Sequence, residues 1–376
     1  MCVGDCKIYG KARNKSVRER MQINRIEQKG RALFLSVVLC LQLLLSGCGA
    51  STQAKKVSKS DFYFDTVITI TLYGTDEAEY IDDCFALAAK YEQKFSNTLE
   101  DSEVSRINAQ AGVAPVTVSE ETVELIQAGI QYGELSGGSF DITLGGLSDL
   151  WNISQVSQET ESSGHEVDAS SLPKPESIEE ALSHVDDSNI HIEKNTVFLE
   201  DPEAKIDLGG IAKGYIADRM KEYLNGQGIT CGIINLGGNI LTLGEKPSGD
   251  TYSVGIQKPF DTEGGVIGAL SVRDKSVVTS GIYERYFKVG DKIYHHILDL
   301  NTGYPYENGL YSVTIISDSS LEGDALSTAC FALGLEKGLE LIDSMEDVQA
   351  VFVTEDYEVH LSDGFGDEVQ FREITQ

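Results

Sequence analysis

Residues 205–215, Lys-Ile-Asp-Leu-Gly-Gly-Ile-Ala-Lys-Gly-Tyr, constrain the fold more than any other stretch of the sequence. A short apolar run ends at two glycines, which permit a tight turn and a close approach of the backbone to a ligand. A helical pattern begins at Ile211 and continues to about Asn225, so the free N–H groups of its first turn face the glycine turn. Lys213 adds a positive charge and Asp207 a carboxylate. On these residues alone, a phosphate-binding corner and an ordinary turn with a solvated lysine both stay open.

The first 47 residues predict a secretion signal. Basic residues at 25, 29 and 31 precede an apolar run over 33–45 that is short for a membrane span. Cys48 follows Leu-Ser-Gly and resembles the lipidated cysteine of bacterial lipoproteins, the alternative being a cleaved signal with an incidental cysteine. We expect a lipid anchor at Cys48 on the extracytoplasmic face of the cell membrane, a tether over 48–60 and one folded domain over 61–376.

The charge of the chain limits its partners. A formal net charge of −30 argues against a basic surface for nucleic acid. An acidic protein also does not lie flat on anionic lipid, so the lipid would be its only membrane link. The cysteines after Cys48 are widely spaced and form no CxxC pair, which argues against a zinc site.

Hydrophobic periodicity predicts strands in succession, with helices grouped between blocks of strands. This order indicates an α+β fold with a largely antiparallel sheet and flanking helices. The main expected features are strands over 62–73 and 296–300, helices over 77–95, 120–135 and 211–225, a helix that Ser319 caps and Gly334 breaks, and a mobile surface insertion over 154–175.

Three further stretches hold polar residues among glycines, at 279–286, 295–303 and 323–329. In the last of them, Asp324 and Thr328 are four residues apart on a predicted helix, so both oxygens lie on one face. A carboxylate and a hydroxyl together make a hard oxygen site that suits Mg²⁺. The same spacing occurs by chance in many helices.

The order of these motifs resembles that of the ApbE family, the FAD:protein FMN transferases. The segments that carry the resemblance are Asp-Leu-Gly-Gly-Ile-Ala-Lys-Gly-Tyr (207–215), Gly-Gly-Asn (237–239), Thr-Ser-Gly with Tyr-Glu-Arg (279–285), His-Ile-Leu-Asp with Thr-Gly (296–303) and Asp-Ala-Leu-Ser-Thr (324–328). The resemblance implies a T-fold-like domain and an Mg²⁺-dependent transfer of FMN from FAD to a threonine hydroxyl of a target protein, with release of AMP. The implied partners are extracytoplasmic flavin-acceptor proteins of electron-transfer systems.

The resemblance also implies roles for single residues. The metal would be held by the Gly210 carbonyl, where the family often has Ala, by the Asp324 carboxylate and by the Thr328 hydroxyl. The residues implied to contact FAD are Asp207, Lys213, Ser139, Phe140, Asp141, Ile297, Leu298, Phe64 at a position that is often Met, and Thr98 at one that is often Tyr.

The base that accepts the threonine proton stays open among Asp207, Asp324 and His296. His296 is favoured because a histidine titrates near neutral pH, against the alternative that it fixes a turn by hydrogen bonding. Two rival functions also stay open: an FAD pyrophosphatase that gives FMN and AMP, and a lipid-anchored FAD-binding protein.

Overall fold

The computed structural model describes residues 55–163 and 167–374. The signal segment over 1–47 and the predicted lipidation site Cys48 lie outside the described residues. The strands are, in chain order, β1 (Lys56–Tyr63), β2 (Thr66–Tyr73), β3 (Val116–Thr117), β4 (Ile190–Glu193), β5 (Thr196–Leu199), β6 (Gly232–Leu236), β7 (Asn239–Leu243), β8 (Tyr252–Gln257), β9 (Val266–Val272), β10 (Ser276–Gly281), β11 (Tyr286–Val289), β12 (Lys292–His295), β13 (Leu310–Ser317), β14 (Gln349–Thr354), β15 (Val359–Leu361) and β16 (Gln370–Glu373). The α-helices are α1 (Glu79–Phe95), α2 (Glu103–Ala109), α3 (Glu120–Leu135), α4 (Gly145–Trp151), α5 (Ile153–Ser163), α6 (Pro175–Leu182), α7 (Ala212–Gly226) and α8 (Ser320–Asp343).

An eight-stranded sheet forms the centre of the fold, in the order β1-β2-β6-β7-β10-β13-β14-β15. Every neighbouring pair in it is antiparallel. Smaller sheets β3-β5-β4 and β16-β9-β8 and the hairpin β11-β12 surround it. The predicted α+β fold with a largely antiparallel sheet is therefore confirmed.

The largest apolar cluster fills the space between the sheet and helices α1, α3 and α7. The side chains of Ile68, Ile70 and Leu72 on β2 are fully buried. Against them, α1 presents its apolar stripe, because its buried residues recur at helical spacing. In the part of the chain that the structure describes, no helix is long and apolar enough to cross a membrane.

The beginning of the domain differs from the prediction. The run over 62–73 is two strands, because Phe64 and Asp65 adopt φ values of 52° and 54° and close a two-residue hairpin turn. The folded unit begins at Lys55, so β1 includes residues 56–60, which we expected in the tether. This edge strand turns much of its Lys and Ser to solvent, and that composition resembles a linker.

Two other regions were also predicted wrongly. Much of the expected insertion over 154–175 forms α5, which buries Ser157. Residues 296–300 do not form a strand, although Leu298 makes an isolated antiparallel bridge to Pro305. The Asp299 carboxylate ends the segment in a turn, since it accepts hydrogen bonds from the Asn301 N–H and the Thr302 hydroxyl at 2.9 and 3.0 Å. By contrast, the predicted break in the last helix is confirmed, because Gly334 has φ 80° and ψ 178° within α8.

Helices α7 and α8 cap each other's N-termini. The Asp324 carboxylate of α8 accepts the N–H of Gly214, in the first turn of α7, at 2.9 Å. In return, the Asp218 carboxylate of α7 accepts the N–H of Ser320 at 2.8 Å and that of Leu321 at 3.0 Å. Each carboxylate satisfies N–H groups that lack a partner within the helix, and each lies at the positive end of a helix dipole.

Gly214 is the contact point of this crossing. A Cβ atom on Gly214 would lie 2.2 Å from the Ser320 carbonyl oxygen, closer than any real contact. The two helices could not pack at this distance with a larger residue. The crossing therefore depends on the third glycine of the 205–215 motif.

We predict that Gly214→Ala lowers the free energy of unfolding by at least about 2 kcal/mol, because the backbone of α8 must move away. The control is Gly226→Ala, at the end of the same helix, where an added Cβ meets no atom within 4 Å. This variant should keep or raise the stability by up to about 1 kcal/mol. Urea unfolding of both proteins measures the difference; equal stabilities would contradict the close crossing.

Candidate active site

The reciprocal caps place a buried carboxylate next to a lysine. The Asp324 side chain is 6 % exposed, and its Oδ1 lies 3.9 Å from the Nζ of Lys213. The same Nζ donates to the Gly209 carbonyl at 3.1 Å. Burial raises the pKa of Asp324, although Lys213 and the Gly214 N–H act to lower it. The protein thus holds a carboxylate with only partial charge compensation, an arrangement that favours binding of a further cation.

Three of the predicted residues meet about one helical turn along α8 from this carboxylate. The point that a Cβ on Gly210 would occupy lies 3.9 Å from the Thr328 Oγ1 and 3.0 Å from the Phe140 ring. Thr328 is one helical turn after Asp324 on α8. Its Oγ1 lies 3.1 Å from the hydroxyl of Ser280, on the neighbouring strand β10. The hydroxyls of Thr328 on α8 and Ser280 on β10 therefore lie together beside the backbone of Gly210.

The glycine turn has its own internal support. The Asp207 carboxylate accepts the N–H of Gly209 at 2.8 Å, which closes the turn. Upstream, the Asn108 side chain accepts the N–H of Ile206 at 2.8 Å and donates to its carbonyl at 2.9 Å. Asp207 is half-buried. The residue thus shapes the backbone that presents Gly210.

Two charged residues that follow β10 lie within electrostatic reach of Asp324. Glu284 Oε1 lies 3.9 Å from the Cβ position of Gly238, in the β6–β7 turn. The Glu284 side chain is exposed. Desolvation by the surrounding protein atoms raises its pKa to about 7, and the positive charges of Lys213 and Arg285 act to lower that pKa. The Arg285 guanidinium is exposed, and its Nη1 lies 3.4 Å from the hydroxyl of Ser154.

The two adjacent histidines have different environments. His295 is 2 % exposed, and its Nε2 donates to the Tyr306 carbonyl at 2.9 Å. Burial lowers its pKa from 6.5 to about 4. His296 is half-buried, and desolvation followed by the positive charge of Arg285 holds its pKa well below the usual range. Its Nδ1 lies 3.3 Å from the Arg285 carbonyl, which can only accept, so Nδ1 carries the hydrogen and Nε2 keeps a lone pair.

The segment over 139–141 lies next to the glycine turn through one ring. Phe140 is 5 % exposed and contacts the Gly210 position, and Ser139 is half-buried beside it. Both carboxylate oxygens of Asp141 accept hydrogen bonds, Oδ1 from the Thr143 N–H at 2.7 Å and Oδ2 from the Asp187 N–H at 3.1 Å. In this structure Asp141 holds the turn that carries Phe140.

Phe64 and Thr98 lie in two other connections of the fold. Phe64 is in the β1–β2 turn, and its N–H donates to Glu92 at 2.7 Å. This turn lies against the β6–β7 turn, because the Cβ position of Gly237 falls 2.0 Å from the Thr66 hydroxyl. Thr98 is exposed, in the loop after α1, next to a cavity of about 210 Å³ that Asn97, Asn108, Lys205 and Ile206 help to line. No contact joins either residue directly to the oxygen cluster within the described ranges 55–163 and 167–374.

Ile297 and Leu298 have buried side chains, each 5 % exposed. The first packs in the cluster under β13 and α8, and the second packs with Trp151 and Tyr294. Their side chains stabilise the segment that carries His296. Any contact with a ligand in the cleft therefore falls to their main chain.

Several residues of the site carried no usable signal in the sequence. Ser280 lies within the 279–285 motif, but the motif does not show which residue it contacts. The pairing of β10 with β13 and the packing of α8 bring it to Thr328. Asp218 and Asn108 are separated from their partners by about a hundred residues. Periodicity reports which side of a helix is apolar, not which backbone groups its polar residues will reach.

The fold and the site define an α+β protein in which a glycine turn, a lysine and a buried carboxylate meet. The ApbE family model matches residues 64–352, and the chain belongs to this family. A Klebsiella pneumoniae protein named FAD:protein FMN transferase is 40 % identical over 297 residues, which are 78 % of this chain and 88 % of that protein. A Treponema pallidum protein of the same name is 33 % identical over 356 residues, which are 89 % of this chain and 95 % of that one.

Solved structures agree with this assignment. The ApbE protein of Thermotoga maritima superposes with a TM-score of 0.72 at 32 % identity, over 82 % of this chain and 97 % of that one. The flavin transferase ApbE of Vibrio cholerae gives a TM-score of 0.72 at 26 % identity, over 82 % and 98 %. The family predicted from the ordered motifs is therefore confirmed.

We predict that His295 makes the protein less stable as the pH falls from 6.5 to 4. In this window the unfolded chain binds a proton on the histidine and the folded protein does not, so protonation favours unfolding. The loss should approach on the order of 3 kcal/mol and level off below pH 4. Urea unfolding at several pH values should show a shallower pH dependence for His295→Gln, whose side chain does not titrate; equal slopes would exclude a buried neutral histidine.

Proposed function

We propose that this protein transfers FMN from FAD to a threonine hydroxyl of an acceptor protein and releases AMP. The observation that carries the proposal is the convergence of Gly210, Asp324 and Thr328 beside Lys213 in one cleft. Its relatives are named FAD:protein FMN transferase, and they match over most of their own length. The threonine target, the release of AMP and the need for a metal are parts of this proposal.

The oxygen cluster fits a resident Mg²⁺. The candidate metal ligands are the Asp324 carboxylate, the Thr328 hydroxyl and the Gly210 carbonyl, all hard oxygen ligands of the kind that Mg²⁺ prefers. The buried carboxylate lacks a full counter-charge, because the nearest Lys213 nitrogen is 3.9 Å from its Oδ1. When bound, the ion would supply Lewis-acid stabilisation of the pyrophosphate oxygens of FAD.

The residues around this cluster are suited to a pyrophosphate. Lys213 projects from the first turn of α7, where free N–H groups and the helix dipole also favour anions. The glycines of the turn permit close approach of the phosphates to the backbone. In the transfer, the threonine oxygen forms a bond to the FMN phosphorus, and the bond between that phosphorus and the AMP oxygen breaks with its electron pair. Lys213 then stabilises negative charge on the departing AMP.

The threonine proton requires an acceptor in the cleft. We propose His296, because its Nδ1–H is engaged by the Arg285 carbonyl and its Nε2 is left with a lone pair. Its lowered pKa keeps the ring neutral at physiological pH, so the lone pair is free to accept, but the same desolvation makes the ring a weaker base than the near-neutral histidine that the sequence led us to expect. Asp207 and Asp324 are less suited, since the first closes the glycine turn and the second caps α7.

We further propose that the protein acts outside the cytoplasm, anchored by a lipid at Cys48. The motif Leu-Ser-Gly-Cys after an apolar run supports this, and so does the start of the folded unit at Lys55, a few residues later. Its acceptors would be extracytoplasmic flavoproteins of electron-transfer systems. Replacing Cys48 by Ser should release the protein from membranes in a fractionation experiment, and unchanged membrane association would contradict the anchor.

The transfer is tested by incubating the purified protein with FAD, Mg²⁺ and a candidate acceptor domain. A fluorescent band that stays on the acceptor in a denaturing gel, together with free AMP, is the expected result. FMN and AMP without a labelled acceptor would favour the pyrophosphatase. Intact FAD that only co-purifies would contradict both reactions and favour the flavin-binding protein.

We predict that Asp324→Asn lowers Mg²⁺-dependent turnover by at least about a hundredfold, because the variant loses the metal's only carboxylate ligand. Asparagine keeps an oxygen that accepts the Gly214 N–H, so the helix cap is largely preserved. Asp324→Ala should lose the same activity and also some stability.

The matched control is Asp218→Asn, the same chemical change at the opposite cap. It should lower the stability more than Asp324→Asn does, because both Asp218 oxygens accept backbone N–H groups of α8, yet it should retain turnover at a temperature where the protein is folded. Full Mg²⁺-dependent activity of Asp324→Asn would show that the metal assignment is wrong.

A further inference from the structure

Three hydroxyl groups form a row beside the residues that we assign to the metal. The Ser280 Oγ on β10 lies 3.1 Å from the Thr328 Oγ1 and 2.8 Å from the Ser327 Oγ, both on α8. The Ser327 hydroxyl in turn donates to the main-chain carbonyl of Asp324 at 2.9 Å. The row therefore begins at one candidate metal ligand, Thr328, and ends at the main chain of another, Asp324.

The end of the row at Asp324 sets the direction of its hydrogen bonds. A carbonyl oxygen can only accept, so the one hydrogen of the Ser327 hydroxyl is used there. Because Ser327 is fully buried and has no second hydrogen, it accepts in its contact with Ser280. Ser280 then donates its own hydrogen to Ser327, and in its contact with Thr328 it can only accept.

This direction determines which atoms Thr328 presents to a cation. Its hydroxyl hydrogen lies towards Ser280, the only hydrogen-bond partner of its Oγ1 in the part of the chain that the structure describes. Both lone pairs of the oxygen then stay available, and lone pairs are what a cation binds. In the reverse direction, Ser280 would occupy one lone pair, the Thr328 hydrogen would have no acceptor, and the Asp324 carbonyl would lose its bond from Ser327.

We propose that Ser280 and Ser327 are positioning residues, which hold the Thr328 hydroxyl as an acceptor for the metal ion. This inference rests on the cation site that we propose at Gly210, Asp324 and Thr328, and it adds two residues that act on the ion only through Thr328. Removal of a group that orients a metal ligand typically lowers metal affinity by about 10- to 100-fold.

Titration of the purified full chain, loaded with FAD, with Mn²⁺ tests the proposal, and the electron paramagnetic resonance signal of the free ion gives the affinity. Ser280→Ala should weaken Mn²⁺ binding about tenfold or more. Ser327→Ala should weaken it by a similar factor, because the Ser280 hydroxyl then has only Thr328 to donate to. The affinity for FAD without metal should stay within about twofold in both variants, since the change acts on the metal ligand.

The double variant distinguishes a directed row from two separate losses of packing. Two members of one chain of hydrogen bonds are not additive, because loss of Ser280 already breaks the link that Ser327 supports. Ser280→Ala combined with Ser327→Ala should therefore bind Mn²⁺ within about twofold of Ser280→Ala alone. Two losses that multiply would overturn the directed row.

The matched control is Ser276→Ala, the same chemical change on the same strand. Ser276 is fully buried, and its Oγ has no hydrogen-bond partner among the residues that the structure describes. Its Mn²⁺ affinity should stay within about twofold of the wild type. A loss equal to that of Ser280→Ala would reduce the effect to a general response of β10 and overturn the proposal.

Asp324→Asn separates this inference from the cation site on which it rests. That variant should lose Mn²⁺ binding whichever way the hydroxyls point. If it does, while Ser280→Ala and Ser327→Ala bind Mn²⁺ as tightly as the wild type, the directed row is overturned and the cation site stands. If the wild type loaded with FAD does not bind Mn²⁺, the cation site is overturned, and the positioning roles with it.

Discussion

The reciprocal capping of α7 and α8 is the interaction on which the candidate active site depends. Asp324 binds the first turn of α7, and Asp218 binds the first turn of α8, at a crossing that Gly214 makes possible. The same contact that joins the helices brings Lys213 and the glycine turn to Asp324. The Asp324 carboxylate therefore both caps α7 and belongs to the candidate active site. These two roles explain why it is buried with so little charge compensation.

The antiparallel sheet supplies the remaining geometry. Strand β10 carries Ser280 to the α8 face that holds Thr328, and its continuation carries Glu284 towards the β6–β7 turn. The hairpin of β11 and β12 then returns the chain to His296. Parts of the site come from five separate stretches of sequence, and each is rigid because it lies at the end of a strand or in the first turns of a helix.

The helices and strands were predicted better than their boundaries. The motif residues were predicted better than the residues that hold them in place. The helix after the glycine turn and the break at Gly334 were visible because glycine and periodicity act locally. The β1–β2 turn was hidden, since Phe64 and Asp65 adopt positive φ without the glycine that usually marks such a turn. Asp218 and Asn108 could not be assigned because their partners are distant in sequence, and only the packed fold determines which backbone groups they reach.

The central claim is that Gly210, Asp324 and Thr328 form one cation site in the cleft. Crystals of the protein grown with FAD and Mn²⁺, which accepts the same oxygen ligands as Mg²⁺, allow the ion to be located by anomalous scattering. We expect a peak in contact with the Asp324 carboxylate, the Thr328 hydroxyl and the Gly210 carbonyl, next to the FAD pyrophosphate. A peak at Asp207 or Glu284 without Asp324, or a pyrophosphate bound away from Lys213, would contradict it.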